Sequence, residues 1–457
     1  MKKTSLENWI FKKIGSRDIE DYQLRKLKEN INYVKNNSRF YKEQLRYINE
    51  NDINSFEDFE KVPFTTAEDI KDNPLRFLCV SQQYISRIVS LNTSGTTGKS
   101  KRIFFTEEDQ ELTIDFFKEG MKDIVNSNDR VLILLPGEIS GSVGDLLKKA
   151  LSRINVESYI QGPIKDVKEV SNIIKLKNIN SLVGIPVQVL SLSRKEKEVF
   201  SNSIEKVLLS TDYVPNVLIE ELTDSGNCKV FTHYGMTEMG LGGGVECESL
   251  KGYHLREADL YFEVVSPTTG RKVKDGEYGE IVFTTLTRKG MPLIRYRTGD
   301  KGRFSAKACD CGTVLRTMDR ILGRIENKVE IYDGNFLNMR DIDENLIKIK
   351  EIMNYEVSVM DNSKSQIYNK KEGKLYNYRE NNIEEKSELV ITAYVSKENF
   401  EVVKDEIVRN LNQIPVISKS IKKGILEIKI LLPDREKESG NGTLKRRIYD
   451  YRREYEG

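Results

Sequence analysis

The stretch Thr93-Ser94-Gly95-Thr96-Thr97-Gly98-Lys99-Ser100-Lys101 concentrates hydroxyls, glycines and lysines in one short loop. Those residue types suit an anion. Gly95 and Gly98 relax the backbone so that amides can turn toward a phosphate. The hydroxyls of Thr93, Ser94, Thr96 and Thr97 add donors, and Lys101 supplies a cation. The blander alternative is an ordinary Ser/Gly/Thr turn. The apolar run Ile88-Val89-Ser90-Leu91 before it is expected to be a strand. The Walker pattern does not apply, because Thr93 stands where that loop requires its first Gly.

Four more constellations could do chemistry. In His233-Tyr234-Gly235-Met236-Thr237-Glu238, an aromatic face suits a base and a hard carboxylate suits magnesium. Tyr296-Arg297-Thr298-Gly299-Asp300 ends on a carboxylate able to grip a diol. Gly323-Arg324 offers a cation after a turn. Gly440-Asn441-Gly442-Thr443-Leu444-Lys445-Arg446-Arg447 is a basic run near the C-terminus, which alone reads as a solvated tail. Separately, the tight turn Cys309-Asp310-Cys311-Gly312, with Cys247 and His254 upstream, offers three thiols and an imidazole for a tetrahedral structural zinc. Their alternative is burial as small residues, the expectation for Cys79 and Cys228.

The elements that must position these residues follow from pattern and length. A chain of 457 residues is long enough for about two or three domains. Lys+Arg (73) and Asp+Glu (71) nearly cancel, which leaves no electrostatic case for nucleic acid or an anionic membrane. No apolar run reaches the ~18 residues of a membrane span. Glu7, Asn8, Lys12 and Lys13 interrupt any signal-peptide core. Five cysteines, an odd number, argue against a disulfide framework, so the cytosol is the expected compartment. Leu24, Leu27, Ile31 and Val34 recur at helical spacing near the start. From about 85 to 240, short apolar runs such as Arg130–Leu135, Ser181–Pro186 and Lys206–Ser210 alternate with amphipathic stretches, predicting a mainly parallel sheet covered by helices. Between about 250 and 322 the pattern turns β-rich, with Leu260–Val265, the turn Pro267-Thr268-Thr269-Gly270, and Gly279–Thr284. After it come Tyr355–Met360, Glu388–Val395, a helix near Val402–Asn412, and Ile425–Leu432. Residues 361 to 387 read as a surface hairpin or a disordered insertion. The predicted architecture is α/β, with a large N-terminal domain over 1–322 and a small α+β domain over 323–457.

In their order along the chain, the five nucleotide-type motifs resemble those of the acyl-adenylate-forming superfamily of acyl-CoA synthetases, peptide-synthetase adenylation domains and luciferases. The phosphate loop is similar throughout, except that Ser100 replaces the usual Pro. The resemblance implies that Tyr234, next to Gly235, stacks on adenine, that Thr237 contacts the α-phosphate, and that Glu238 helps hold Mg²⁺. It assigns Asp300 to the ribose hydroxyls and Arg324 to the ribose and phosphates. At the hinge, Glu326-Asn327 stands where an Asp is usual. Lys445 fits best as the lysine that bridges the carboxylate and α-phosphate, with Arg446 and Arg447 as bystanders, although the usual Gly-Lys pair is absent.

Within the superfamily, Pro63-Phe64-Thr65-Thr66 with Asp69-Ile70, and Asn37–Tyr41, resemble segments of the phenylacetate–CoA ligase group. The implied activity is ATP-dependent conversion of a carboxylic acid to an acyl-AMP, then transfer to the thiol of CoA while the C-terminal domain turns near Glu326. An aryl or arylacetic acid follows from the likeness, with its pocket around Leu135–Val143 and Met239–Gly244, where Gly240–Gly244 would leave room for a planar group. A homodimer is the oligomeric state the group implies. An amine, hydroxyl or carrier-protein acceptor is the alternative. A silent nucleotide- or acyl-binding protein is disfavoured by Glu238, Asp300 and the candidate lysine.

Overall fold

The computed structural model of the protein describes residues 15–91, 100–226, 228–361, 367–369, 374–376, 386–433 and 446–452. Thr93 to Gly98 of the phosphate loop and Lys445 lie outside them. The helix Ser16–Asn37 comes first, burying Leu27, Ile31 and Val34 along one face. The strands β1 (Ile85–Leu91) and β2 (Lys101–Thr106) then pair antiparallel, so the phosphate loop joins the two arms of a hairpin. Thr106 ends β2 and caps the helix Glu107–Lys122 reciprocally with Asp109.

The expected strand–helix alternation follows. β3 (Arg130–Ile133), β4 (Glu157–Ile160), β5 (Ser181–Gly184), β6 (Lys206–Leu209) and β7 (Lys229–Tyr234) pair in parallel. β5 is buried along its whole length, as a strand covered on both faces must be. At β7 the direction changes. β8 (Gly244–Glu246), β9 (Tyr253–Leu255) and β13 (Thr317–Met318) complete the same eight-stranded sheet as antiparallel neighbours. The sheet is therefore mixed and mainly parallel, as the strand–helix alternation implied. Strands of two or three residues are too short to carry a pattern of their own. In open sheets of this kind, ligands gather beyond the carboxyl ends of the parallel strands, and β7 ends on Tyr234.

A three-stranded antiparallel sheet of β10 (Leu260–Val265), β11 (Gly279–Thr285) and β12 (Tyr296–Gly302) accounts for the β-rich stretch. Beyond it, β14 (Lys328–Tyr332) and β15 (Asn335–Asn338) form a hairpin. β16 (Asn354–Asp361), β19 (Ser387–Tyr394), β20 (Leu426–Leu431) and β21 (Ile448–Asp450) make a four-stranded sheet packed by the helices Phe400–Leu411 and Pro415–Lys422. Inside the polar insertion, β17 (Ile367–Asn369) and β18 (Lys374–Tyr376) pair antiparallel. One apolar cluster runs from Leu132, Leu182 and Leu218 to Val329, Ile342, Val357 and Ile391, so the C-terminal part packs on the helix layer of the large sheet. Arg194 crosses that seam, pairing with Glu221 at 2.5 Å and donating to the carbonyls of Ile347 and Ile349 at 2.6 and 3.1 Å. Among the described residues no helix is long and apolar enough to cross a membrane.

The two segments that pointed to the phenylacetate–CoA ligase group hold the approach to β12. The Tyr41 hydroxyl accepts from the Ile294 amide at 2.9 Å and lies 3.0 Å from Thr65 Oγ1, which donates to the Ile294 carbonyl at 2.7 Å. Arg295 is buried with its guanidinium on both oxygens of Glu263 (3.0 and 2.8 Å), on the carbonyls of Glu60 and Val62, and 4.1 Å from the Phe64 ring centre. Removing one partner of such a pair strands the other charge in the interior. Arg295→Met is therefore expected to cost about 3–5 kcal/mol in urea unfolding, and pairing it with Glu263→Leu to recover most of that loss. Equal stability of the single and double variants would contradict this account.

Candidate active site

Three motifs far apart in sequence meet at the end of β7. The Tyr234 hydroxyl donates to Asp300 Oδ2 at 2.9 Å, and Arg324 Nε lies 2.9 Å from Asp300 Oδ1. Arg324 also donates to the Thr298 carbonyl at 3.0 Å. Burial and the Asp300 charge push the Tyr234 phenol well above its ordinary pKa, so it stays a neutral donor. Two glycines make the approach possible. A Cβ on Gly235 would stand 2.4 Å from the Leu241 carbonyl oxygen, and Gly299 has φ +74°. Tyr234, Gly235, Asp300, Gly323 and Arg324 line one cavity.

Glu238 and Lys101 form a second buried cluster. Lys101 Nζ is ion-paired with Glu238 Oε1, and the Tyr296 hydroxyl lies 3.1 Å from Lys101 Nζ and 3.2 Å from Glu238 Oε1. Burial and the Glu238 charge together raise the Tyr296 phenol far above its usual range. Thr237 and Glu238 lie on a single turn, Thr237–Met239, whose Glu238 carbonyl accepts from buried Arg288 at 2.7 Å.

The far wall of the Tyr234 cavity comes from residues that carried no sequence signal. Arg446 is buried, not part of a solvated tail or a mere bystander. Its guanidinium lies 2.9 Å from Asp343 and 4.2 Å over the Tyr355 ring, and its backbone accepts from Asn327 at 3.0 Å and donates to Asp212 at 3.3 Å. Burial pushes the Asp343 carboxyl up to about 6, against the pull of Arg446 beside it. Arg446 belongs to the C-terminal basic run, whereas Asp212 and Asp343 lie far from it in sequence, and only the tertiary arrangement brings them together.

A smaller, largely apolar cavity adjoins the first and shares His233 with it. Leu135 and Val143 line it as expected, joined by Phe116, Phe117, Leu208 and Ser210. The glycine stretch does not open it further. The space over Gly242 is taken by the Phe116 ring, that over Gly240 by Arg288, and that over Gly243 by Met239. These glycines admit neighbouring side chains of the protein itself, which sequence spacing alone does not reveal.

Near β8 and β9, the ligand atoms of Cys247, His254, Cys309 and Cys311 all lie within 4.8 Å of one another. Cys247 and Cys309 sulfurs are 3.7 Å apart, and Cys311 Sγ is 3.6 Å from His254 Nε2. Burial keeps His254 below its ordinary pKa, hence neutral. Although burial opposes it, hydrogen bonds from Cys311, Ser249 and Cys247 hold the Cys309 thiol below the usual cysteine value. Cys79 and Cys228 are buried core residues, as expected.

Over residues 87–286 the sequence matches the family described as AMP-binding enzyme. It is 26% identical to phenylacetate-coenzyme A ligase of Thermus thermophilus over 94% of this chain and 96% of that protein. With the Escherichia coli phenylacetate-coenzyme A ligase it shares 24% identity over 75% of this chain and 79% of the relative. The crystal structure of 2-hydroxyisobutyryl-CoA ligase in the postadenylation state, in complex with R3-HIB-AMP, superposes with a TM-score of 0.74 at 17% identity, covering 94% of this chain and 89% of that one. That last likeness shows the fold. By sequence the chain resembles the AMP-binding enzymes, and among them the phenylacetate-coenzyme A ligases.

Proposed function

We propose that this chain is an AMP-forming acid–CoA ligase acting on a carboxylic acid of aryl or arylacetic type. The observation that carries this reading is the meeting of Tyr234, Asp300 and Arg324 in one cavity, beside an apolar cavity that can hold an acyl group. Adenine lies on the Tyr234 ring, and Asp300 takes the ribose hydroxyls. The loop Thr93–Gly98, Thr237 and Arg324 donate to the phosphates, and Lys101 leaves Glu238 to join them. A carboxylate oxygen of the acid attacks the α-phosphorus, and the bond to pyrophosphate breaks. Lys445 bridges the attacking carboxylate and the α-phosphate, where negative charge accumulates.

Glu238 is a suitable magnesium ligand: a buried hard carboxylate, to which substrate phosphates would add further oxygens. When bound, Mg²⁺ neutralises charge on those phosphates. In the second half-reaction the CoA sulfur attacks the acyl carbon, AMP leaves with the bonding electron pair, and the thiol proton passes to solvent. Residues 323–457 act as a small mobile domain that turns near Glu326, withdrawing Lys445 and admitting the thiol.

Cys247, His254, Cys309 and Cys311 hold a structural Zn²⁺. Three thiols and a neutral imidazole match its preferred donors and leave no open position for catalysis. Free thiols throughout fit a reducing compartment, the cytosol.

ATP–pyrophosphate exchange across a panel of carboxylic acids tests the activity. One acid class is expected to stimulate exchange, and Lys445→Ala to reduce it by about 10²–10³-fold. Tight ATP binding without exchange for any acid would refute the reading, and exchange that survives the substitution would move the lysine elsewhere. Metal analysis of the purified protein is expected to find stoichiometric zinc, lost in Cys309→Ser together with several degrees of melting temperature. Metal-free protein that melts like the metal-loaded form would remove the zinc assignment.

A further inference from the structure

β7 places His233 in the partition between the nucleotide cavity and the apolar cavity. Its Nδ1 lies 2.9 Å from Ser210 Oγ. Its Nε2 is buried and has no hydrogen-bond partner among the described residues. The tautomer follows from counting hydrogens. If Nδ1–H donated to Ser210, both the serine hydrogen and Nε2 would lack partners. If Ser210 donates to Nδ1, only Nε2–H is left over, so Nε2 carries the proton.

Burial alone lowers the His233 pKa to about 4, so the ring is neutral at neutral pH and offers no charge to a second carboxylate. The Phe116 and Phe117 rings stand 6.1 Å from it, centre to centre. Apart from Ser210, the other side chains that line this cavity are apolar. A donor left without an acceptor in such a wall is costly, and a ligand oxygen would remove that cost. The lack of a side chain on Gly242 lets the Phe116 ring pack beside Nε2, since a Cβ there would stand 3.2 Å from Nε2 and 2.2 Å from that ring, so the neighbour that a ligand oxygen must displace is an apolar ring edge and not a polar group.

We propose that the acid activated by this enzyme carries a hydrogen-bond-accepting oxygen, a hydroxyl or keto group on an otherwise apolar body, received by His233 Nε2–H as the Phe116 edge turns aside. His233 is thus a specificity-determining residue, and Ser210 fixes its tautomer. This rests on the chain being an acid-activating ligase. A site built to hydrogen-bond a substrate oxygen discriminates strongly against the analogue that lacks it.

The test is ATP–pyrophosphate exchange with matched acids: phenylacetate against the ortho, meta and para hydroxyphenylacetates, and hexanoate against its hydroxy and keto counterparts. At least one oxygenated acid is expected to exceed its parent in kcat/KM by about tenfold or more. His233→Phe should abolish that preference, read as the ratio of kcat/KM for the two acids of each pair. Ser210→Ala, which releases the tautomer, should reduce the preference in part, and it serves as the deciding variant if His233→Phe no longer binds ATP. Equal use of parent and oxygenated acids by the unsubstituted enzyme overturns the proposal and leaves the ligase reading intact. A preference that survives both substitutions overturns it as well. Absence of exchange with every acid overturns the ligase reading and this one with it.

Discussion

A buried contact between Lys101 and Glu238, with the Tyr296 hydroxyl against both, ties together parts of the chain that belong to three different sheets. Lys101 opens β2 at the exit of the phosphate loop. Glu238 lies on the turn after β7, and Tyr296 opens β12. A lone ammonium or carboxylate in this interior would cost several kcal/mol, so each needs the other in place. The start of β2, the turn after β7 and the start of β12 are thereby held in one relation to each other.

Around it, the architecture puts rigid polar pairs behind the site and adjustable ones in front. Arg295 and Glu263 are sealed beneath β12 and fix the strand that carries Asp300. Tyr41 and Thr65 clamp the same strand from the N-terminal segments. On the other side of the cavity, Arg446 is held through single contacts to Asp212, Asp343 and Asn327. Asp212 and Asp343 come from distant parts of the chain, and only the tertiary packing brings both to Arg446.

How much of this was legible in the sequence depended on range. Tyr234, Gly235, Asp300 and Arg324 stood out because each sits in a short string whose glycine and polar residues serve one turn. The strand Leu260–Val265 was readable because its apolar run, interrupted only by Glu263, is followed by turn residues, and it emerged with the same limits. The antiparallel completion of the large sheet was not readable, since β8, β9 and β13 are too short to show a period. The partnership of Asp343 with Arg446 spans a hundred residues of sequence and leaves no local trace. Gly240–Gly244 misled for a physical reason. Glycine reports that space is needed, and Phe116, Met239 and Arg288, not a ligand, fill it. Segments 37–41 and 63–70 marked a branch of the superfamily, and only the hydrogen bonds of Tyr41 and Thr65 supply their cause.

The two cavities are walled by different cores. Phe116, Phe117, Leu135, Leu147, Val183 and Leu208 share one apolar cluster, while Tyr234, Met236, Tyr296 and the β10–β12 strands belong to another. Substitutions in well-separated cores act almost independently on stability. Repacking the first cluster can therefore reshape the apolar cavity while the residues around Tyr234 keep their arrangement, with His233 as the boundary between the two.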